Sequence, residues 1–315
     1  MELPKVSIII PVYNGANYMR EAIDSALTQT YTNIEIIVVN DGSCDEGQTE
    51  KIALSYGDRI RYFSKPNGGS SSALNYGIRK MRGEYFSWLS HDDLYKSDKI
   101  EKQIQKINFE IINKQIIICG TEIIDSCGKK IHHSKKQLNG NFDGLSMLEN
   151  IKKGYGINGC GVLIHKNILD KVGFFDENFR FINDFDYWYR LMIHDCIFTC
   201  FDEQLVLSRI HHEQVTVKKA HLFKSECELM SKKIFDSMMS SIDENYLMIK
   251  AYLEIVVKNG EFNVMRETIR KLNKKGYKQN VIGFYSFYLY GRIIRLGKEI
   301  YKKLFYRREH ESCTN

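Results

Sequence analysis

The chain has 315 residues, of which 43% are hydrophobic and 27% charged, with a net charge of +6. That balance belongs to an ordinary soluble globular protein, long enough for one large domain or a domain with a sizeable appendage. The mild positive charge suits phosphates or anionic lipid as readily as nucleic acid and selects none of them. Eight cysteines are scattered at irregular spacing with no C-x-x-C pair, which argues against a zinc site and against a disulfide framework.

In chain order, the β-branched run Lys5–Pro11 predicts a strand buried on both faces, hence part of a mainly parallel sheet. Val12–Gly15 reads as a loop and Tyr18–Leu27 has helical spacing. A second strand, Ile34–Asn40, ends in the turn Asp41-Gly42-Ser43. A helix over Glu46–Tyr56, a short strand over Ile60–Ser64 and a helix over Ser71–Met81 follow, with the loop Lys65–Ser70 between the last two. Tyr85–Leu89 is an apolar strand that stops at Ser90-His91-Asp92-Asp93. A helix over Ser97–Asn108 and a strand over Ile116–Thr121 come next. Strands alternating with helices of this length mean βαβ units and an open α/β sheet, which binds ligands at the carboxyl ends of its strands. The loops after Ile10, Val39 and Leu89 are therefore expected to share one cleft.

Residues 122–145 are polar and hairpin-like. A strand over Gly161–His165, a helix over Asn167–Val172 and an amphipathic helix over Phe185–Ile193 follow. Phe198–Asp202 and Leu205–Ile210 alternate like two paired strands. From Ala220 the pattern is all-helical, with breaks near Asp243, Gly260 and Gly276. The expected organisation is a catalytic domain over 1–218, with a nucleotide-binding half (1–121) and an acceptor half (122–218), then a helical region over 219–315.

Several strand ends carry residues suited to chemistry. Pro11-Val12-Tyr13 could flank a base or ribose, or form a plain strand-to-helix turn. Asp41 could accept an N–H from a uracil-type base, or make an Asx-turn. Asn67-Gly68-Gly69-Ser70 precedes a helix and resembles an anion cradle, or equally a flexible loop with an N-cap, without the G-K-[ST] of a Walker loop. Asp92 and Asp93 supply hard oxygen donors of the kind that hold Mg²⁺ or Mn²⁺ against a phosphate, or are solvated turn acids. Asp184 and Asp186 lie two apart at a helix start, so only one is expected to face the cleft. His211 ends a strand and could be a metal ligand, a phosphate donor or, more commonly at such a place, a plain surface histidine. Gly154–Gly159 matches G-x-G-x-x-G but leads into a strand, the reverse of a dinucleotide site.

Taken in order, V-S-I-I-I-P-V-Y-N, I-I-V-V-N-D-G-S, L-N at Asn75, W-L-S-H-D-D, G-x-F-D-E, N-D-F-D-Y-W and R-x-H resemble the family-two inverting nucleotide-sugar glycosyltransferases of GT-A fold, over residues 5–216. The resemblance implies a Rossmann-like α/β domain with helices on both faces; the helical appendage lies outside it. It implies a nucleotide-sugar donor, with a UDP-sugar favoured, and Mn²⁺ or Mg²⁺. It assigns Asp41 to the uracil base, flanked by Pro11, Val12 and Tyr13, and Asn67 of the glycine-rich loop is counted with them as donor-binding. It assigns Asp92 to the ribose, Asp93 to the metal, His211 to the metal or diphosphate, and Asp184 to the role of general base. Ser90 stands where many members have a further Asp, and Asn183 where Glu is usual. A glycan or lipid-linked acceptor of surface-polysaccharide type is implied, with no nucleic-acid partner. The alternatives are a nucleotidyltransferase, which lacks its phosphate loop here, and a non-catalytic sugar-nucleotide-binding scaffold.

Leu289, Ile293, Leu296, Ile300 and Leu304 form an apolar stripe, and between Arg292 and Arg308 lie four Arg and three Lys against one Glu. This predicts an amphipathic helix that lies on an anionic membrane, packs on the preceding helices or mediates a homodimer. The run Val6–Val12 is too short for a signal-peptide core, and no uncharged run reaches the ~18 residues of a membrane span. Cytoplasmic placement, at the inner face of the membrane, is the resulting expectation.

Overall fold

The structure is a computed structural model that describes residues 3–131, 137–211 and 220–277, without the side chains of 220–222. The chain divides into two compact units, Met1–Cys227 and Glu228–Asn315.

In the first unit, β1 (Val6–Val12), α1 (Met19–Leu27), β2 (Ile34–Asn40), α2 (Gln48–Leu54), β3 (Arg61–Ser64), α3 (Ser70–Lys80) and β4 (Tyr85–Trp88) follow one another as βα units. Their strands are parallel in the order β3-β2-β1-β4. The β-branched runs of β1 and β2 are buried along almost their whole length, as double-faced strands require. Val12 continues β1, paired with Asn40, so the expected loop begins only at Tyr13.

Glu35 ties the lower ends of these strands together. It accepts bonds from Ser7 Oγ at 2.6 Å, from Arg61 Nη1 at 2.6 Å, and from the N–H of Arg82 and Gly83. Burial pushes its pKa up, but these donors outweigh burial and hold the carboxyl below its ordinary value.

Beyond β4 the sheet becomes mixed. It adds β5 (Leu94–Tyr95), β6 (Gln115–Ile124), β7 (Gly140–Phe142), β8 (Val162–His165) and β9 (Ile197–Arg209). The order continues β4-β8-β6-β9-β5, with β8 antiparallel to both neighbours, β9 parallel to β6, and β7 pairing β9. The helices here are α4 (Lys99–Ile104), α5 (Gly144–Lys152), α6 (Lys166–Val172) and α7 (Asn183–Ile193).

The two expected strands at 198–202 and 205–210 are one strand, β9. It runs beside β6 with register shifts near Gly120, where exposed Asp202 and Glu203 interrupt the apolar alternation. A bulge breaks the period of two without breaking the strand, so the sequence pattern read as a hairpin. The polar stretch after β6 does turn back locally, through an antiparallel bridge between Ile124 and Lys130.

The last helix of the first unit, α8 (Ala220–Met239), continues past Cys227 into the second. The second unit also holds α9 (Ile242–Asn259) and α10 (Phe262–Lys274). Tyr252, Leu253 and Val256 of α9 and Met265 and Leu272 of α10 are buried in it, and α9 ends on Gly260 at φ 78°. Among the described residues no helix is long and apolar enough to cross a membrane. The apolar and basic stripes of 289–308 lie outside the described residues.

Candidate active site

Two loops meet at the carboxyl ends of β1 and β2. Asp41 N–H donates to Val12 O at 2.8 Å, holding the two strand ends together. The Asp41 side chain is buried and turns away from solvent. It accepts from Lys65 Nζ at 2.6 Å, from Gly68 N at 3.0 Å and from Gly69 N at 2.7 Å. Asn67 Nδ2 donates to Asp41 O at 2.9 Å. The anion cradle read from Asn67-Gly68-Gly69 thus exists, but the anion in it is Asp41 of the same chain. Gly42 makes this approach feasible: its φ is +70°, and a Cβ there would lie 2.6 Å from Asn67 N. Tyr13 stands 45% exposed beside this loop, its hydroxyl 3.4 Å from Cys44 Sγ, and Pro11 is half-buried in β1.

The turn after β4 carries the paired acids. Tyr95 closes it from below, donating its hydroxyl to Trp88 O, with Ser87 Oγ 2.9 Å away. Fully buried Lys99 donates to Ser87 Oγ at 2.8 Å, and burial lowers the lysine to about 8. Asp92 and Asp93 then diverge. Asp92 Oδ2 lies 3.0 Å from His211 Nε2, and the imidazole packs on Tyr18 with ring centroids 4.9 Å apart. Asp93 is buried, accepting from Arg209 N at 2.8 Å on Oδ1 and from Cys160 Sγ at 3.2 Å on Oδ2. Burial, then the charge of Asp92, push Asp93 up to about 7 against the pull of those donors.

Arg209 is the hub of this region. Its side chain, 1% exposed, donates to Asp92 O at 3.0 Å, to Ser126 O at 3.0 Å and to Glu21 Oε2 at 2.7 Å, with the guanidinium over the Tyr18 ring. The sequence offered Arg209 only as the first letter of R-x-H. Its salient signal was an arginine ending a strand, which does not by itself separate a hub from a surface charge.

The helix that carries Asp184 is set by contacts over long sequence distances. Asn75 Nδ2 donates to Phe175 O at 2.8 Å and to Glu177 Oε1 at 2.9 Å, and Phe175 N donates back to Asn75 Oδ1 at 3.0 Å. Ser71 Oγ donates to Phe179 O at 3.0 Å, and Glu226 accepts from the N–H groups of Arg180 and Phe181. The motifs L-N and G-x-F-D-E therefore serve to place α7. Within α7 the two acids part: Asp186 is fully buried and pairs with Arg190 at 2.9 Å, while Asp184 is half-buried and accepts from Phe185 N at 2.8 Å. Burial raises Asp184 to about 6.

A cavity of about 530 Å³ opens between these parts. Asp93, Ser90 and Cys160 line it together with Asp184 and Phe185, and Arg209 forms part of its wall. Pro11, Val12, Tyr13, Asp41, Asn67, Asp92 and His211 do not line it. Of the residues singled out in the sequence, the structure thus joins Asp93 with Asp184 in one cavity and leaves the β1–β2 group outside it. The discounted glycine-rich stretch lines the cavity too, through Tyr155, Gly156, Asn158 and Gly159. Its G-x-G-x-x-G spacing carried no local sign that it would line a cavity.

A divalent cation fits this donor set. Carboxylate oxygens and an imidazole lie side by side, and Asp93 is a buried acid whose neighbour is another acid, a charge pairing that a cation relieves. Among the described residues no three His, Cys, Asp or Glu side chains converge to hold an ion unaided. A cation here would therefore complete its shell from other oxygens.

The Glycosyl transferase family 2 model matches residues 7–173. An uncharacterized glycosyltransferase of Rickettsia felis is 48% identical over 259 residues, which cover 78% of this chain and 41% of that protein. The minor teichoic acid biosynthesis protein GgaB of Bacillus subtilis is 34% identical over 184 residues, covering 56% of this chain and 20% of that protein. The chain thus spans less than half the length of each of these two curated relatives. Among solved structures, S. aureus TarS 1-349 in complex with UDP-GlcNAc matches with a TM-score of 0.59 at 18% identity, over 75% of this chain and 66% of that one. At that identity the likeness concerns the fold.

Proposed function

The chain belongs to glycosyl transferase family 2, with a GT-A α/β fold followed by C-terminal helices, and on that premise we propose that it is an inverting glycosyltransferase. It moves a sugar from a nucleotide-diphosphate donor, a UDP-sugar foremost, to an acceptor hydroxyl. The observation that carries this reading is the single cavity lined by both Asp93 and Asp184. One acid sits where a leaving diphosphate would be held, the other where an incoming hydroxyl would lose its proton.

Asp184 acts as general base on the acceptor hydroxyl as its oxygen attacks the anomeric carbon. A carboxyl raised to about 6 is still ionised at neutral pH and is a better proton acceptor than an ordinary aspartate. Phe185 N–H fixes one of its oxygens and leaves the other free to reach the substrate. Asp93 would hold Mn²⁺ or Mg²⁺, with His211 alongside, and a bound cation supplies charge stabilisation to the departing diphosphate. Arg209 keeps Asp93 oriented through its backbone N–H. A single displacement inverts the anomeric centre. Alignment of two substrates in one site is the main contribution of the fold.

The base seat lies at the β1–β2 edge, with exposed Tyr13 beside Pro11 and Val12. Asp41 shapes this seat by holding the 65–69 loop. Direct contact with a uracil would need release of the Gly68 or Gly69 N–H. Asp92 would reach the ribose after parting from His211.

The UDP-GlcNAc complex of the TarS fragment supports a UDP-sugar donor, and the teichoic acid relative supports surface-polysaccharide synthesis with a glycan or lipid-linked acceptor. A site at the cytoplasmic face of the membrane, reached through the basic stripe near the C-terminus, is part of the same reading. A screen of UDP-, dTDP- and GDP-sugars with Mn²⁺ tests it. UDP-sugar turnover is expected. Turnover of GDP-sugars alone would overturn the base assignment, and no turnover at all would favour a sugar-nucleotide-binding scaffold.

A further inference from the structure

Lys99 has no part in the reaction described above, yet it is fully buried in the first unit. The titratable neighbours that act on it are the Cys119 and Cys160 thiols, not a carboxylate. A buried ammonium without a counter-charge is unfavourable, and an apolar side chain of similar length would fill the same space without that penalty. Its contacts show what it is placed on. Nζ donates to Ser87 Oγ at 2.8 Å and stands 3.9 Å from the centre of the Tyr95 ring. Ser87 Oγ lies 2.9 Å from the Tyr95 hydroxyl, which donates to Trp88 O. Tyr95 is itself anchored, since it pairs with Val206 of β9 and donates its N–H to Ser25 Oγ at 3.1 Å.

One sense of hydrogen bonding fits this chain of groups. An ammonium only donates and a carbonyl only accepts, so Ser87 Oγ accepts from Lys99. The single phenolic proton of Tyr95 goes to Trp88 O. The Ser87 proton is then left to the Tyr95 oxygen, with Val162 O a longer alternative at 3.3 Å. A cation at one end and a carbonyl at the other polarise every bond between them in the same direction, which strengthens each. The carbonyl belongs to the last residue of β4, which lines the cavity, and the turn that follows it carries Asp93. We propose that Lys99 is a positioning residue: through Ser87 and Tyr95 it fixes the Trp88 carbonyl, and with it the turn that sets Asp93 in the cavity. The inference rests on the reading of Asp93 as the cation-holding acid. Lys99 touches no substrate. Its charge sets the direction of the chain, and the fold gives up some stability to hold it.

The test is Lys99→Met in the full chain, which keeps most of the side-chain length and removes the charge and the donor. Thermal melts and UDP calorimetry with and without Mn²⁺ are run on the wild type, Lys99→Met, Tyr95→Phe, the double variant and Asp93→Asn. Lys99→Met is expected to melt at or above the wild type, while the gain in UDP affinity that Mn²⁺ brings falls roughly tenfold. Tyr95→Phe, which removes the donor to Trp88 O, should lose a similar amount. The double variant should lose little more than either single one, as members of one chain do. A lysine that serves packing alone gives the opposite pattern, a lower melt with the Mn²⁺ gain intact. A Lys99→Met protein that melts well below the wild type or keeps the whole Mn²⁺ gain, or losses that add in the double variant, would overturn the proposal. If Asp93→Asn keeps the gain, the reading of Asp93 fails and this inference with it. If Asp93→Asn loses the gain while Lys99→Met keeps it, only the role of Lys99 fails.

Discussion

Arg209 donates its backbone N–H to Asp93 Oδ1 at 2.8 Å, across 116 positions of sequence. The same arginine binds the carbonyl of Asp92 through Nε at 3.0 Å. The end of β9 is thereby fastened to the turn after β4, and the two acids are held apart. Asp93 faces the cavity and Asp92 faces His211. Several measurable consequences stem from this arrangement and from the placement of Asp184.

Asp184→Asn removes the proton acceptor while keeping size and polarity. Transfer to acceptor should fall by about 10²–10⁴-fold, the usual worth of general-base catalysis. Initial rates at saturating donor, with UDP affinity measured by calorimetry as a control, check it. A drop of less than tenfold would move the base elsewhere.

The rate should also fall as pH drops through about 6, the value to which burial raises Asp184. For stability the sign is opposite to that of an ordinary paired carboxylate. A folded-state pKa above the usual 3.8 means that the fold holds the proton more tightly than the unfolded chain does, so this group's contribution to stability declines as pH rises from about 4 to about 6. Asp184→Asn should therefore raise the melting temperature at pH 7.5 and leave it little changed at pH 4. Equal shifts at both values would contradict the buried-carboxylate account.

Asp93→Asn keeps both hydrogen-bonded neighbours but removes the charge that would attract a cation. UDP binding should lose its dependence on Mn²⁺, with affinity in the presence of Mn²⁺ reduced by roughly 10–100-fold. Calorimetry with and without the metal separates this from a folding defect.

Arg209→Met should destabilise the first unit by about 2–4 kcal/mol, since it leaves two carbonyls and the Glu21 carboxylate without their donor. Glu21 is 54% exposed in its side chain, so water compensates it and the carbonyls of Asp92 and Ser126 carry most of the loss. Denaturant melts measure the effect, and a change below about 1 kcal/mol would deny the hub role.

Gly159→Ala would set a Cβ 2.6 Å from the Trp88 ring, at the floor of the cavity. Overpacking of this kind costs about 1–3 kcal/mol. The melt should drop accordingly, and near-ultraviolet circular dichroism should report the displaced indole.

Much of the framework was legible from local pattern. The double-faced runs of β1 and β2, the alternation of strand and helix to Lys80, and the helix breaks near Asp243, Gly260 and Gly276 depend on residues close in sequence. The long strand β9 was read as two because a bulge at Asp202–Glu203 imitates a turn. Gly154–Gly159 leads into a strand, which excludes a dinucleotide site, and its spacing is silent about which wall of which cavity the loop will form.

The sequence alone determined which chemical groups end the strands: carboxylates after β2 and β4, a carboxylate pair opening α7, and an Arg-x-His at the end of β9. These are properties of residue type and short-range order, and the family resemblance rests on them. Only the tertiary structure decided what each group faces. Asp41 is turned onto the N–H groups of its own 65–69 loop, Asp186 onto Arg190, Asp92 onto His211 and Asp93 onto Arg209 and Cys160. Hydrogen bonds are directional and short, and most of these partners are separated by tens of residues or more. Which oxygen meets which donor is therefore fixed when the strands align, and no local pattern encodes it.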